Sequence, residues 1–295
     1  MNSELSAGSR QAAGILLVIV SAVVTAVSPT AAKVALEAGA TTLTVLTARG
    51  LITVVVMWLA LVALGQGLAV GRQAGLFALL AGISHVLMSY GYVASVAHIP
   101  VSLAILIYFT HTLLLALIAH LRGTERLGRR KLLLAVVVLA GLALVVGPEL
   151  GVLEPVGIAL AVLASVAVCG LILFGAEAQK GASSIQLMFH SGLVNLVVFS
   201  AATTWLGAWA APQGVVGWTG LALAGLGSAI GLLAFFAAFR FISPVRATMI
   251  SNLEPLVGVL IAVAVLGEWL SGWQWVGVGV VVAGLVLFEK ASGKG

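Results

Sequence analysis

Glu254, followed at once by Pro255, sits near the middle of a long apolar stretch. An ionised side chain at the centre of a bilayer costs about 2.5–3.5 kcal/mol on insertion scales, so such residues are candidates for function. A carboxylate there has two uses. It carries a proton or holds the ammonium group of a substrate, or it pairs with Arg49 or a helix end and serves packing. Pro255 removes a backbone donor, which frees the carbonyl of Ser251 and lets a helix bend beside Ser251 and Asn252. Pro29 is a second hinge candidate in the first stretch. Tyr108, Thr110 and His111 lie mid-stretch in the first half of the chain. His111 suits a proton carrier, or a hydrogen-bonded packing residue. His85, Ser89 and Tyr92 are spaced to share one helical face. That face suits an amino or aromatic group, and equally a hydrogen bond to a neighbouring helix. His190 and Asn195 rank lower as candidates.

Two cations complete the set. Lys33 is near a stretch end, where snorkelling explains it. Arg49 is about 12 Å into its stretch at 1.5 Å per residue, placed to attract a carboxylate or pair with an acid. Nothing resembles a catalytic constellation. The five histidines and the single Cys169 are scattered, without metal-ligand spacing. No phosphate-binding Gly-x-x-x-x-Gly-Lys-[Ser/Thr] loop occurs, so ATP drive is not expected. No cofactor is expected either. A lipid-modifying enzyme would need a polar cluster near the interface, and Asp is absent from the chain.

The elements that must position these residues are membrane spans. Of 295 residues, 62% are hydrophobic and 8% charged, where a soluble domain carries about 25% charged. Mean hydropathy is +1.22. Such a chain needs lipid as solvent. Ten apolar stretches are long enough to cross, near 12–33, 41–65, 73–96, 100–121, 131–148, 155–177, 184–207, 217–240, 244–266 and 272–289. They are long and continuous, unlike the short alternating strands of a membrane barrel. Arg10 ahead of an apolar run mimics a signal peptide. No hydrophilic domain follows it, and the run has a partner in the second half.

With the amino end inside, 12 of the 14 Lys and Arg residues fall on the inner side. The densest group runs from Arg122 to Lys131. The positive-inside rule therefore predicts both termini in the cytoplasm of a bacterial-type inner membrane. Trp205, Trp209, Trp218, Trp269, Trp273 and Trp275 fall near outer helix ends, as an aromatic belt would. The net charge of +5 is a topology signal, and no nucleic-acid partner is expected.

Residues 41–65 align without a gap to 183–207, pairing Gly50-Leu51 with Gly192-Leu193. Gly14-Ile15 meets Gly157-Ile158, Pro100-Val101 meets Pro244-Val245, and Ala140-Gly141-Leu142 meets Ala283-Gly284-Leu285. The fourth helices of the halves place Thr110 opposite Glu254 and Tyr108 opposite Asn252. Five crossings per copy force the second copy to enter from the opposite side. The prediction is an all-α polytopic membrane protein, ten transmembrane helices as two inverted five-helix repeats. The repeats are 12–148 and 155–289, together one transport domain.

The Glu254-Pro255 pair, the Leu266-Gly267-Glu268 that follows, Gln274-x-x-Gly277, Ala283-Gly284, Lys33 and Ala48-Arg49 carry a resemblance over the whole chain. The sequence resembles the EamA-like family of the drug/metabolite transporter superfamily. The resemblance implies ten transmembrane helices and export of amino acids or other metabolites. Three departures stand out: Thr110-His111 opposite Glu254-Pro255, Arg122-Gly123-Thr124-Glu125 in place of Leu-Gly-Glu, and Ser28-Pro29 where a tryptophan-glycine pair is frequent. The expected activity is secondary export of a small metabolite, an amino acid first, of aromatic or broad specificity, by alternating access. A proton-coupled multidrug or cation exporter is the alternative. Partners are the substrate and membrane lipid; the sequence leaves the oligomeric state open, a monomer included.

Overall fold

The computed structural model describes residues 2–95, 98–99, 101–124, 128–146, 154–266 and 271–292. Twelve helical segments run in chain order: α1 (Asn2–Glu37), α2 (Thr42–Ala63), α3 (Arg72–Ser95), α4 (Val101–Phe109), α5 (His111–Leu121), α6 (Arg129–Val146), α7 (Pro155–Ala178), α8 (Ser184–Trp205), α9 (Gly214–Ala238), α10 (Pro244–Ser251), α11 (Leu253–Leu266) and α12 (Gly272–Ser292). They make ten membrane helices, because α4–α5 and α10–α11 are each one crossing interrupted once, at Thr110 and at Asn252. Among the described residues, eight helices are long and apolar enough to cross a membrane by length and composition alone, the Leu103–Leu121 stretch among them. The other two are α6, which opens on Arg129, Arg130 and Lys131, and the α10–α11 helix that Asn252 divides. Pro100, Glu125, Glu149, Glu268 and Trp269 lie outside the described residues.

Two compact units divide the chain. The first comprises 1–22, 90–169 and 238–295; the second comprises 23–89 and 170–237. Each unit draws on both repeats, and each contains direct marks of inversion.

In the second unit, Thr41 caps α2 by accepting from the Thr44 amide (3.2 Å) and donates to the Ala208 carbonyl, just past the end of α8 (2.6 Å). Ser183 caps α8 in the same way, accepting from the Gln186 amide (3.2 Å), and donates to Gln66, just past the end of α2 (2.9 Å). Each helix begins where the other ends, so α2 and α8 are antiparallel. At their middles, a Cβ on Gly50 would stand 2.9 Å from the Leu196 amide nitrogen, beside Asn195, and one on Gly192 would stand 2.9 Å from Thr53. The register that aligns 41–65 with 183–207 equates Gly50 with Gly192 and Thr53 with Asn195. Reciprocal contacts of this kind are what a two-fold axis requires.

In the first unit, α6 and α12 repeat the pattern. A Cβ on Gly141 would meet Val280 and Val281, and one on Gly284 would meet Val138. Their core is Val138, Leu142, Val145, Val281, Leu285 and Phe288 around Phe109, Met249 and Leu256. Small residues allow such approach, and close packing drives helix association where lipid competes equally for apolar surface. At the helix ends of the same unit the two copies diverge. Gly157 at the start of α7 lies against His98 and Ile99, and Gly14 of α1 lies against Phe241 and Ile242. His98 also pairs with Glu154 at 2.8 Å. The matching contact at Phe241 is apolar.

The breaks fall at Thr110 in the first copy and at Asn252 in the second, where the sequence had set Thr110 opposite Glu254 and Tyr108 opposite Asn252. The predicted bend near Pro255 falls at Asn252, and Pro255 sits in the first turn of α11, where a missing donor costs least. α1 continues as helix through Pro29. It also begins at Asn2 and ends at Glu37, well beyond the predicted 12–33.

Candidate functional site

The predicted residues separate into two clusters, one in each unit. In the second unit, Arg49 on α2 donates from Nη2 to the hydroxyl of Ser228 on α9 (2.8 Å). His85 on α3 meets the hydroxyl of Ser191 on α8 through Nδ1 (3.4 Å). These contacts are two-fold mates: the ungapped α2/α8 block equates Arg49 with Ser191, and the reciprocal approaches of Gly82 to Val194 and of Gly225 to Ile52 equate His85 with Ser228. Both ionisable members belong to the first repeat and both serines to the second. The supporting bonds are mates as well. Thr53 donates to the Arg49 carbonyl (2.8 Å), and Asn195 donates through Nδ2 to the Ser191 carbonyl (2.9 Å). His85, Ser89, Ser191, Asn195 and Ser228 are buried. Arg49, Ser89, His85, Asn195 and Ser228 line a small cavity, closed at its apolar side by Leu46 and Phe199. It has room of about 10 Å³ for the centre of a water-sized sphere.

In the first unit the site is built on broken helix. In a bilayer the backbone groups freed at a break must be satisfied within the protein. Thr110 donates to the Ile107 carbonyl (2.6 Å), so its remaining contact, with Ser165 on α7 (3.0 Å), is received from the Ser165 hydroxyl. His111 donates through Nδ1 to the Tyr108 carbonyl (2.7 Å), which fixes the proton on that nitrogen because a carbonyl only accepts. Cys169 donates to the His111 carbonyl at 3.6 Å. In the second copy Ser251 donates to the Thr248 carbonyl (2.8 Å), and the Asn252 amide donates to Thr248 (3.2 Å) and Met249 (2.9 Å). That leaves the buried Oδ1 of Asn252 as an acceptor with no hydrogen-bond partner.

Above the first break the aromatic rings of Tyr92 and Tyr108 are 5.3 Å apart, and those of Tyr108 and His111 are 5.0 Å apart. Glu254 is close enough for its charge to act on Tyr92. A carboxylate beside tyrosine rings suits a cationic group, which the ring faces and the acid both attract. Lys33 joins neither cluster: it is exposed and pairs with Glu37 one turn on, at 3.8 Å. His190 meets the Leu68 carbonyl (3.0 Å) in an exposed position.

Sequence reasoning passed over Ser165, Ser191 and Ser228. The signal for one of them was present. The ungapped repeat block places Ser191 at the position of Arg49; Ser228 is matched to His85 only by the reciprocal glycine contacts of Gly82 with Val194 and Gly225 with Ile52. Ser165 carries no such mark.

Residues 12–147 and 155–289 each match the EamA-like transporter family. A 97-residue stretch, 32% of this chain, is 32% identical to a Sinorhizobium sp protein described as "Uncharacterized transporter in cobO 3'region", of which it covers 69%. A solved structure described as "Crystal structure of protein" superposes with a TM-score of 0.80 over 93% of this chain and 96% of that one, at 17% identity. That likeness bears on the fold.

Proposed function

The chain belongs to the EamA-like transporter family, and from that premise we propose that it exports small metabolites, amino acids first among them, by alternating access. The observation that carries the mechanism is the reciprocity of the antiparallel contacts at Gly50/Gly192 and Gly141/Gly284. Halves that are equivalent in structure and opposite in direction can exchange conformations, so a central site opens to one side and then to the other. The substrate class follows from side-chain chemistry within each unit. In the first, Glu254 with Tyr92 and Tyr108 suits an ammonium group; in the second, Arg49 suits a carboxylate. Each is a group that an amino acid carries. We place the protein in a bacterial-type inner membrane with both termini in the cytoplasm, as the loop charges require.

Purified protein in liposomes, loaded with a panel of amino acids, tests this reading. Flux of one or more amino acids is expected. Flux confined to another chemical class would sink the substrate assignment. Glu254 also favours a second reading, proton-coupled export of cations. Glu254→Gln abolishes substrate-induced proton release on that reading. Unchanged transport without proton movement leaves gradient-driven export.

A further inference from the structure

We propose that the cavity at Arg49 in the second unit is a binding subsite for one small monovalent anion, a carboxylate group or a halide. The source is either the substrate's own carboxylate, which rests on the amino-acid reading above, or chloride held as a resident ion.

The observations are geometric. A guanidinium sits within a spanning helix and directs Nη2 to Ser228 at 2.8 Å. Guanidinium N–H groups form a planar fork that matches a carboxylate or surrounds a sphere of charge. The remaining polar lining is Thr53, His85, Ser89, Asn195 and Ser228, with no acid among it. Hydroxyl groups that already accept from a cation have their own protons to give onward, and Ser228 is in that position. The cavity is small, with room of about 10 Å³ for the centre of a water-sized sphere, which suits one small ion or group. At mated positions the second repeat carries Ser191 and Ser228 where the first carries Arg49 and His85, so the guanidinium charge lies on one side of an otherwise two-fold arrangement.

The test uses the purified full chain in detergent, its thermal midpoint followed against sodium chloride, bromide, formate and glycine, with sodium sulfate at equal ionic strength as reference. A saturable rise with formate and glycine, and a smaller one with halides, identifies a substrate carboxylate. A rise with halides alone identifies a resident ion. Arg49→Lys weakens the apparent affinity about tenfold, since the charge remains and the fork is lost. Arg49→Gln removes the response. Should that variant fail to fold, Asn195→Asp supplies an internal carboxylate, and its midpoint should be flat in every salt. Equal responses of the wild type, Arg49→Gln and Asn195→Asp in all salts overturn the proposal and leave the cavity to water. The flux panel separates the two readings. Anion binding without amino-acid flux refutes the transport assignment and keeps the subsite. Amino-acid flux with no Arg49-dependent anion response does the reverse.

Discussion

Thr110 shows how a single hydroxyl earns its place inside a membrane. It closes the Ile107 carbonyl and receives Ser165. Thr110→Val would take its partner from the buried Ser165 hydroxyl, while the Ile107 carbonyl keeps the Thr110 amide at 3.2 Å; the cost is about 1–3 kcal/mol. Thr110→Ser should restore most of it, and thermal midpoints in detergent would show the difference. Thr110 was legible as a polar mid-helix residue, while its place at a helix break and its partner Ser165 were not. The same holds for Asn252, whose mid-span position was legible and whose place at a helix break was not. His85 and Arg49 were picked out separately. Their common cavity came from the inverted repeat, through mated serines that have no character of their own in the sequence.

At the scale of elements, close backbone approach does the holding. Gly50→Ala pushes a Cβ to within 2.9 Å of the Leu196 backbone, so α2 and α8 must part. A loss of about 1–3 kcal/mol is expected. Gly279→Ala on α12 is the control, with nothing within 4 Å of its Cβ, and should be neutral. Measured unfolding of the two variants in one detergent decides the point. A second tie joins α10 to α12 through Arg246 and Glu289, whose Nε lies 3.0 and 2.9 Å from the two carboxylate oxygens. Side-chain exposures of 12% and 23% keep it from being fully screened. Glu289→Gln should lower stability by about 1–3 kcal/mol, less than for a fully buried pair. A midpoint that does not move would show the pair to be held only by the surrounding packing. Helices of this length were readable from apolar runs. Which helix pairs lie back to back was readable only where the repeat put glycines opposite each other.

At the scale of the whole molecule, ten helices were legible because lipid leaves few alternatives to long apolar runs. Orientation is a separate claim and has its own measurement. In a Cys169→Ser background, a single cysteine at Gly128 should react with an impermeant thiol reagent only after the membrane is opened, and one at Gln213 in intact cells. The opposite pattern would invert the topology. The exposed rings of Trp205, Trp209, Trp218, Trp273 and Trp275 fit the lipid headgroup zone in either case.

The His98–Glu154 contact has a consequence for the resting population. Its two-fold mate, at Gly14 with Phe241 and Ile242, carries no charge. On the alternating-access reading, two exchanged states trade an imidazole–carboxylate hydrogen bond for an apolar contact and so differ in free energy. A net difference of about 0.5 kcal/mol, the low end for one hydrogen bond, shifts the ratio of states about twofold. The protein is in that sense tilted, and the tilt is set at one loop.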